Sequence, residues 1–224
     1  MGKLHIAIIM DGIGRWATEK GKLRVEGHKV GSEIVRDITV FASNLESIES
    51  LTLYAFSTEN WKRPKLEVEF LMKLLSKYLE DELNTYIKNG VKFRAIGDIS
   101  RFSKRLQKAI YNLEDKTKSL QRLTQNLALN YGGKDEVVRG MKKLVDSKLE
   151  ITEKSLESFL DLPTPIDILI RTGGDHRVSN FLLWQIAYAE IFFIDTLWPD
   201  FSKEKFEDIL NSFLKIDRRF GGLN

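Results

Sequence analysis

Five short runs of the chain are almost continuously apolar: His5–Met10, Leu51–Phe56, Val91–Ile96, Thr124–Asn130 and Ile166–Ile170. Such runs read as strands buried on both faces. A further short strand is expected after Ala189. Between the runs the hydrophobic period changes. In Lys65–Lys88, the positions Val68, Leu71, Met72, Leu75, Leu79, Leu83 and Tyr86 fall on one stripe of a helix. Helices are also expected at Gly31–Leu45, Ser103–Lys118, Lys134–Leu149, Thr152–Leu160 and Ser202–Leu214. Asn89-Gly90 and Tyr131-Gly-Gly133 punctuate the boundaries. There is no internal repeat, low-complexity segment or Pro/Gly-rich linker, so one domain is expected over residues 1–224. Alternating β and α patterns predict an α/β fold, with a mostly parallel central sheet of about six strands flanked by helices.

Such a sheet delivers side chains to one place, beyond the carboxyl ends of its strands. Every candidate strand ends on polar or glycine-rich chemistry. The segments are Asp11-Gly-Ile-Gly-Arg15, Ser57-Thr-Glu-Asn-Trp-Lys-Arg63, Gly97-Asp98, Asn130-Tyr-Gly-Gly133 and Arg171-Thr-Gly-Gly-Asp-His-Arg177. They are expected to converge on one sheet edge.

Taken singly, these segments stay ambiguous. Asp11 reads as a cap or turn aspartate, or as a partner for Mg²⁺ and a diphosphate, because Mg²⁺ takes one or two carboxylates plus phosphate oxygens. Gly12 and Gly14 would let the backbone approach an anion, and Arg15 and Arg24 would add charge-assisted bonds. Neither a P-loop nor a dinucleotide fingerprint is present. The stretch Arg171–Ser179 places two arginines around Gly-Gly, followed by a serine hydroxyl. That is either an oxyanion cage or a surface turn. Glu190 interrupts the apolar run "WQIAYAEIFF" and is costly to bury unpartnered. It is either exposed or paired with a metal, an arginine or a diphosphate. In Phe56–Pro64, Ser57 or Thr58 caps a turn, Trp61 anchors packing and Pro64 opens a helix. Alternatively, Asn60 and Arg63 bind substrate, with Trp61 as an apolar wall.

Composition narrows the field. A net charge of +3 over 224 residues gives no basic surplus of the kind that points to nucleic acid. The three histidines lack metal spacing and cysteine is absent, which argues against a zinc site. The absence of cysteine fits a reducing, cytoplasmic compartment. The first apolar run is too short for a secretory leader and is broken by Asp11. The longest apolar stretch, Asn180 to Ile194, is too short for a bilayer span and carries Gln185 and Glu190.

Together, "HIAIIMDGIGRWA", "GHKVG", "LTLYAFSTENWKRP", "FRAIGD", "LALNYGG", "DILIRTGGDHRVSNFLLWQIAYAEIFF", "LWPDF" and "RRFGG" resemble the cis-prenyltransferase family, in family order over nearly the whole chain. The resemblance implies a homodimeric, Mg²⁺-dependent enzyme. It would extend farnesyl diphosphate with isopentenyl diphosphate, each addition forming a cis double bond. The product would be a long-chain (undecaprenyl) diphosphate for the cell-wall carrier lipid, grown in an apolar tunnel and released through peripheral membrane contact. The tunnel wall is expected on Lys65–Lys88 with Gly31–Leu45.

The resemblance also assigns residues. Asp11 handles Mg²⁺ and the departing allylic diphosphate. Gly12, Ile13, Gly14 and Arg15 cradle that diphosphate, joined by Arg24 and His28, and Trp16 contacts substrate. Ser57, Thr58 and Glu59 line the site, Asn60 assists proton removal, and Trp61 and Arg63 bind substrate. Arg171, Arg177, Val178 and Ser179 bind isopentenyl diphosphate, with His176 in the same loop. Glu190 joins Asp11 at the metal, and Arg218–Gly222 reaches the partner's site. One position departs from the family: Ile13 stands where asparagine is usual. A β-branched residue makes positive φ expensive, so either the backbone alone binds the anion or binding is weakened. Two competing readings are a non-catalytic accessory subunit and an unrelated nucleotide-phosphate hydrolase. The first fits poorly with the presence of Asp11, Arg15, Arg171 and Arg177. The second lacks a base-reading pocket and a water-activating residue.

Overall fold

The structure, a computed structural model, describes residues 2–218. In chain order the strands are β1 (Leu4–Ile9), β2 (Ile48–Ser57), β3 (Val91–Ile96), β4 (Leu123–Tyr131), β5 (Ile168–Arg171) and β6 (Glu190–Phe193). The helices are α1 (Ile13–Glu19), α2 (Arg24–Ser43), α3 (Lys65–Asp81), α4 (Leu83–Asn89), α5 (Lys104–Thr117), α6 (Gly133–Ser147), α7 (Glu153–Glu157) and α8 (Lys203–Phe213). All six strands form one sheet in the order β3-β4-β2-β1-β5-β6. Every pairing is parallel. The carboxyl ends therefore share one edge, as expected.

Successive strand residues point to opposite faces, which divides the core. Leu4, Ile6 and Ile8 of β1 join a layer with Val35 of α2, Leu79 of α3, Ile110 of α5 and Phe206 of α8. Ala7 and Ile9 face the other side, among Ile166, Phe181 and Leu182. There, buried Glu136 of α6 accepts hydrogen bonds from the Tyr131 hydroxyl, the Gln185 amide and the Leu162 N–H.

The elements depart from expectation in five places. A helix, α1, occupies the segment after Gly12. α2 starts at Arg24 rather than Gly31, because the Glu26 carboxylate accepts the Leu23 N–H at 2.9 Å and secures the first turn. Lys65–Lys88 breaks at Glu82 into α3 and α4. Glu82 is fully buried and paired with Arg36, so it turns inward where a continuous helix would not take it. β2 begins at Ile48, which is buried and pairs with Leu4; Glu49 and Ser50 mask that start in the sequence. Thr152–Leu160 is helical only over Glu153–Glu157. The segment Arg218–Gly222 lies outside the described residues beyond Arg218 itself.

Candidate active site

β1 carries the chain to Asp11, and Gly12 then turns it at φ +93° into α1. Only glycine fits, because a Cβ there would sit 2.7 Å from Leu197 Cδ2. Asp11 is held on both sides. Its N–H donates to Thr172 Oγ1 at 2.9 Å, and the Thr172 hydroxyl donates to the Asp11 carbonyl at 2.8 Å. The Trp198 N–H reaches that same carbonyl at 2.9 Å. One carboxylate oxygen accepts the Gly12 N–H at 2.7 Å, and the other accepts Arg171 Nη2 at 2.8 Å. The "LWPDF" segment braces this loop through Leu197 and Trp198, and through Asp200, which accepts the Trp16 indole N–H.

Ile13 is the first residue of α1 and is not among the positive-φ residues. The left-handed conformation falls on Gly12 instead. The expected backbone cost at Ile13 is therefore absent.

Arg171 ends β5 and joins the Asp11 loop to the Arg177–Ser179 segment. Its side chain is only 4% exposed. Beyond Asp11 it bonds Ser179 Oγ at 2.7 Å, the Arg177 carbonyl, and Asp175 Oδ2 at 3.3 Å. Asp175 also accepts Arg177 Nη2 at 2.7 Å. Arg15 reaches to 4.0 Å from Asp11 across bare Gly173, where a Cβ would meet Arg15 Nη2 at 2.7 Å.

The opposite bank is organised by Glu67. It holds Arg63 at 3.1 Å and Arg24 at 3.3 Å, with His28 Nε2 at 4.0 Å. Burial, helped by the Arg63 charge, pushes His28 down to about 4 from 6.5, so the imidazole is neutral at pH 7. Asn60 Oδ1 accepts the Ser57 N–H at 3.0 Å and closes a capping turn. Glu59 bonds Thr58 at 3.1 Å and Asn180 at 3.0 Å. Burial raises the Glu59 carboxyl, but the hydrogen bonds, led by Asn180, outweigh it and leave the group below its usual value.

These groups line a cavity of about 580 Å³ that includes Asp11, Gly14, Arg24, His28, Ser57, Glu59, Asn60, Arg63, Arg171 and Ser179. It shares Met10, Ile13, His28, Ala55 and Leu71 with an adjoining apolar cavity of about 110 Å³, walled by Val35, Leu75, Tyr78, Leu129 and Trp198. Its walls come from α3, α2 and the sheet, the elements on which a tunnel wall is expected.

Residues 9–221 match the family model described as "Putative undecaprenyl diphosphate synthase". The chain belongs to that family. It is 55% identical to an isoprenyl transferase of Wolinella succinogenes, over 98% of this chain and 96% of that one. It is 48% identical to the ditrans,polycis-undecaprenyl-diphosphate synthase ((2E,6E)-farnesyl-diphosphate specific) of Escherichia coli K12, over 99% and 90%. Among solved structures, a "probable undecaprenyl diphosphate synthase" from Campylobacter jejuni matches at 40% identity and TM-score 0.86, covering 99% of this chain and all of that one. Lavandulyl diphosphate synthase from Lavandula x intermedia, in complex with dimethylallyl diphosphate, matches at 35% identity and TM-score 0.92, over 97% and 98%.

Not every residue expected from the undecaprenyl diphosphate synthase pattern faces the cavity. Trp16 of α1 is buried at 6% exposure, with its N–H on Asp200. Trp61 donates to Asn130 Oδ1 at 2.7 Å and packs on Phe56. It lines the groove between α3 and α5 instead. Val178 packs into the core beside Phe181, and His176 stacks on Phe193. Glu190 is not beside Asp11. It pairs with Ile168, which pairs with Ile6. Asp11 lies beyond the carboxyl end of β1, past Ile9, which is three strand residues or about 10 Å further along than Ile6, and β5 intervenes. A parallel register thus separates the two carboxylates within one chain.

Four residues of the site went unread in the sequence: Thr172, Asp175, Glu67 and Asn180. The last adopts φ +62°, which asparagine tolerates, so the Ser-Asn pair after Val178 was the available signal. Among the described residues no three metal-ligating side chains gather as a preformed cage. The donor set still fits Mg²⁺, which uses one or two carboxylates with phosphate and water rather than an all-protein shell. Asp11 and Asp175 supply such oxygens, both within bonding distance of Arg171 Nη2.

Proposed function

We propose that the chain extends farnesyl diphosphate with isopentenyl diphosphate units into a long-chain cis-polyprenyl diphosphate, the precursor of the cell-wall carrier lipid. One observation carries this reading. A mouth with Arg24, Arg63 and Arg171 around Asp11 opens past Met10, Ile13 and Leu71 into an apolar space. Such a site suits a ligand with an anionic head and a hydrocarbon tail. The names of the relatives at 48–55% identity support the same chemistry.

In this reading Gly12, Gly14, Arg15, Arg24 and His28 take the allylic diphosphate, while Arg171, Arg177 and Ser179 take isopentenyl diphosphate. The allylic C–O bond breaks, a carbon–carbon bond to the isopentenyl terminal carbon forms, and one proton leaves. Charge develops on the leaving diphosphate, where fixed guanidinium groups and backbone N–H donors act without reorganising. Asn60 uses its carbonyl oxygen in the Ser57 cap, which leaves its amide nitrogen for the cavity. An amide is too weak a base to remove the proton, so its part is orientation. Asp11, with Asp175 beside it, would hold Mg²⁺, and the ion would supply further neutralisation of diphosphate charge.

A metal role for Glu190 requires a second copy of the chain, consistent with a homodimer. Release to a membrane surface is supported by Leu23 and Leu66, 71% and 81% exposed, beside the Arg24–Glu67 pair at the mouth. No helix among the described residues is long and apolar enough to cross a membrane. A cytoplasmic location fits these features.

Steady-state kinetics of Arg24→Ala and Ser179→Ala test the assignment of the two subsites. Arg24→Ala is expected to raise the farnesyl diphosphate KM about tenfold or more. Ser179→Ala is expected to raise the isopentenyl diphosphate KM selectively. Equal effects on both substrates would contradict the assignment.

A further inference from the structure

The residue between the two loop glycines sits where the polar and apolar cavities meet. Ile13 lines both. Its backbone is helical, so the loop does not need its side chain for conformation. That side chain lies against two bare positions of α2 one turn apart. A Cβ at Gly27 would stand 3.2 Å from Ile13 Cγ2, and one at Gly31 would stand 3.3 Å from Ile13 Cδ1. Trp198, 3.2 Å from the same Gly31 point, closes the far side. The side chain is thus seated among apolar neighbours and takes no part in the Asp11–Arg171–Asp175 hydrogen bonds.

We infer that Ile13 recognises the hydrocarbon of the allylic substrate, at its first isoprene unit, and not its diphosphate. The assignment rests on the elongation reading above. Isoleucine offers neither donor nor charge to an anion. What it offers is branched apolar surface at the neck, directly beyond the diphosphate loop. Every allylic species in the elongation series presents the same kind of isoprene unit there, so the contact is renewed at each cycle. An isoleucine here therefore places binding energy on the tail rather than on the charged head.

The test separates head from tail. Binding of inorganic diphosphate and of farnesyl thiodiphosphate, a non-reactive analogue, is measured with Mg²⁺ by calorimetry for wild type, Ile13→Ala, Ile13→Val and Ile13→Asn. Ile13→Ala is expected to weaken farnesyl thiodiphosphate about tenfold, and Ile13→Val about threefold, as lost methyl-sized contacts imply. Inorganic diphosphate is expected to bind both variants as it binds wild type. Ile13→Asn should strengthen inorganic diphosphate while weakening the farnesyl analogue. Parallel changes in both ligands, or no change in either, would overturn the assignment. Thermal melts identify any variant with a damaged fold, and Ile13→Val, which keeps the branched shape, then decides. The two possible failures remain distinct. A wild type that binds the analogue without turning over farnesyl and isopentenyl diphosphate removes the reaction, whereas the head-to-tail ratio still reports on Ile13.

Discussion

Thr172 shows how a single side chain makes the site. It is fully buried, and its hydroxyl both accepts from the Asp11 N–H and donates to the Asp11 carbonyl. Thr172→Val keeps the shape and removes both bonds. An unmade buried hydrogen bond costs about 1–3 kcal/mol, and a loosened Asp11 is expected to lower kcat about tenfold or more while both KM values change little. Steady-state kinetics together with urea denaturation check this; unchanged kcat would show that Asp11 needs no such support. The buried histidines set the acid limit of the fold. Burial, the dominant cause, holds His5 down to about 4 against 6.5 when unfolded, and His28 likewise. The unfolded chain takes up those protons first. Their contribution to stability is therefore full above about pH 6.5 and is lost as pH falls toward 4. Urea midpoints measured from pH 8 to 4 should be flat and then fall, with a smaller fall in His5→Asn. Asp11, Arg171 and Ser179 were legible in the sequence because strand ends in a parallel sheet are where chemistry collects. Thr172 was not, because a threonine beside an arginine carries no signal until the neighbouring strand is in place.

The elements are right where burial alone decides them and wrong where a long-range contact does. β3 spans Val91–Ile96, as its continuous apolar run predicts. The helix break at Glu82 depends on Arg36, 46 residues away, and no local pattern encodes it. The start of α2 is missed for a related reason: the sequence predicts the helix only from Gly31, yet Gly27 is helical too and lies against Ile13 and Ala17 of α1. That contact makes a prediction. A Cβ at Gly27 would lie 2.7 Å from the Ile13 carbonyl oxygen, a backbone atom that cannot swing aside. Gly27→Ala is expected to destabilise the protein by about 1–3 kcal/mol, despite alanine's higher helix propensity, and to reduce allylic binding by displacing the loop. A stabilised Gly27→Ala protein would show that α1 and α2 are not packed this closely.

On the scale of the whole molecule, the sheet order brings the Asp11, Ser57 and Arg171 segments together and leaves Glu190 on the edge strand, away from them. The sequence pattern placed all four in one site because it carries no register. If Glu190 serves the metal, it serves a second copy's. Mixed dimers test that geometry. Asp11→Ala and Glu190→Ala proteins, each inactive alone, are expected to recover about a quarter of wild-type turnover when co-refolded, because half the dimers then carry one intact site. Absence of recovery would confine each site to its own chain. The central claim is that the Asp11–Arg171 cluster, opening into the α2–α3 cavity, carries prenyl elongation. Its most direct test is incorporation of radiolabelled isopentenyl diphosphate into farnesyl diphosphate-primed product by purified wild-type and Asp11→Ala protein, with Mg²⁺ or with chelator. The account predicts long-chain labelled product from wild type with Mg²⁺ only, and at least a hundredfold less from folded Asp11→Ala. No incorporation by folded wild type, or equal incorporation by Asp11→Ala, would contradict it.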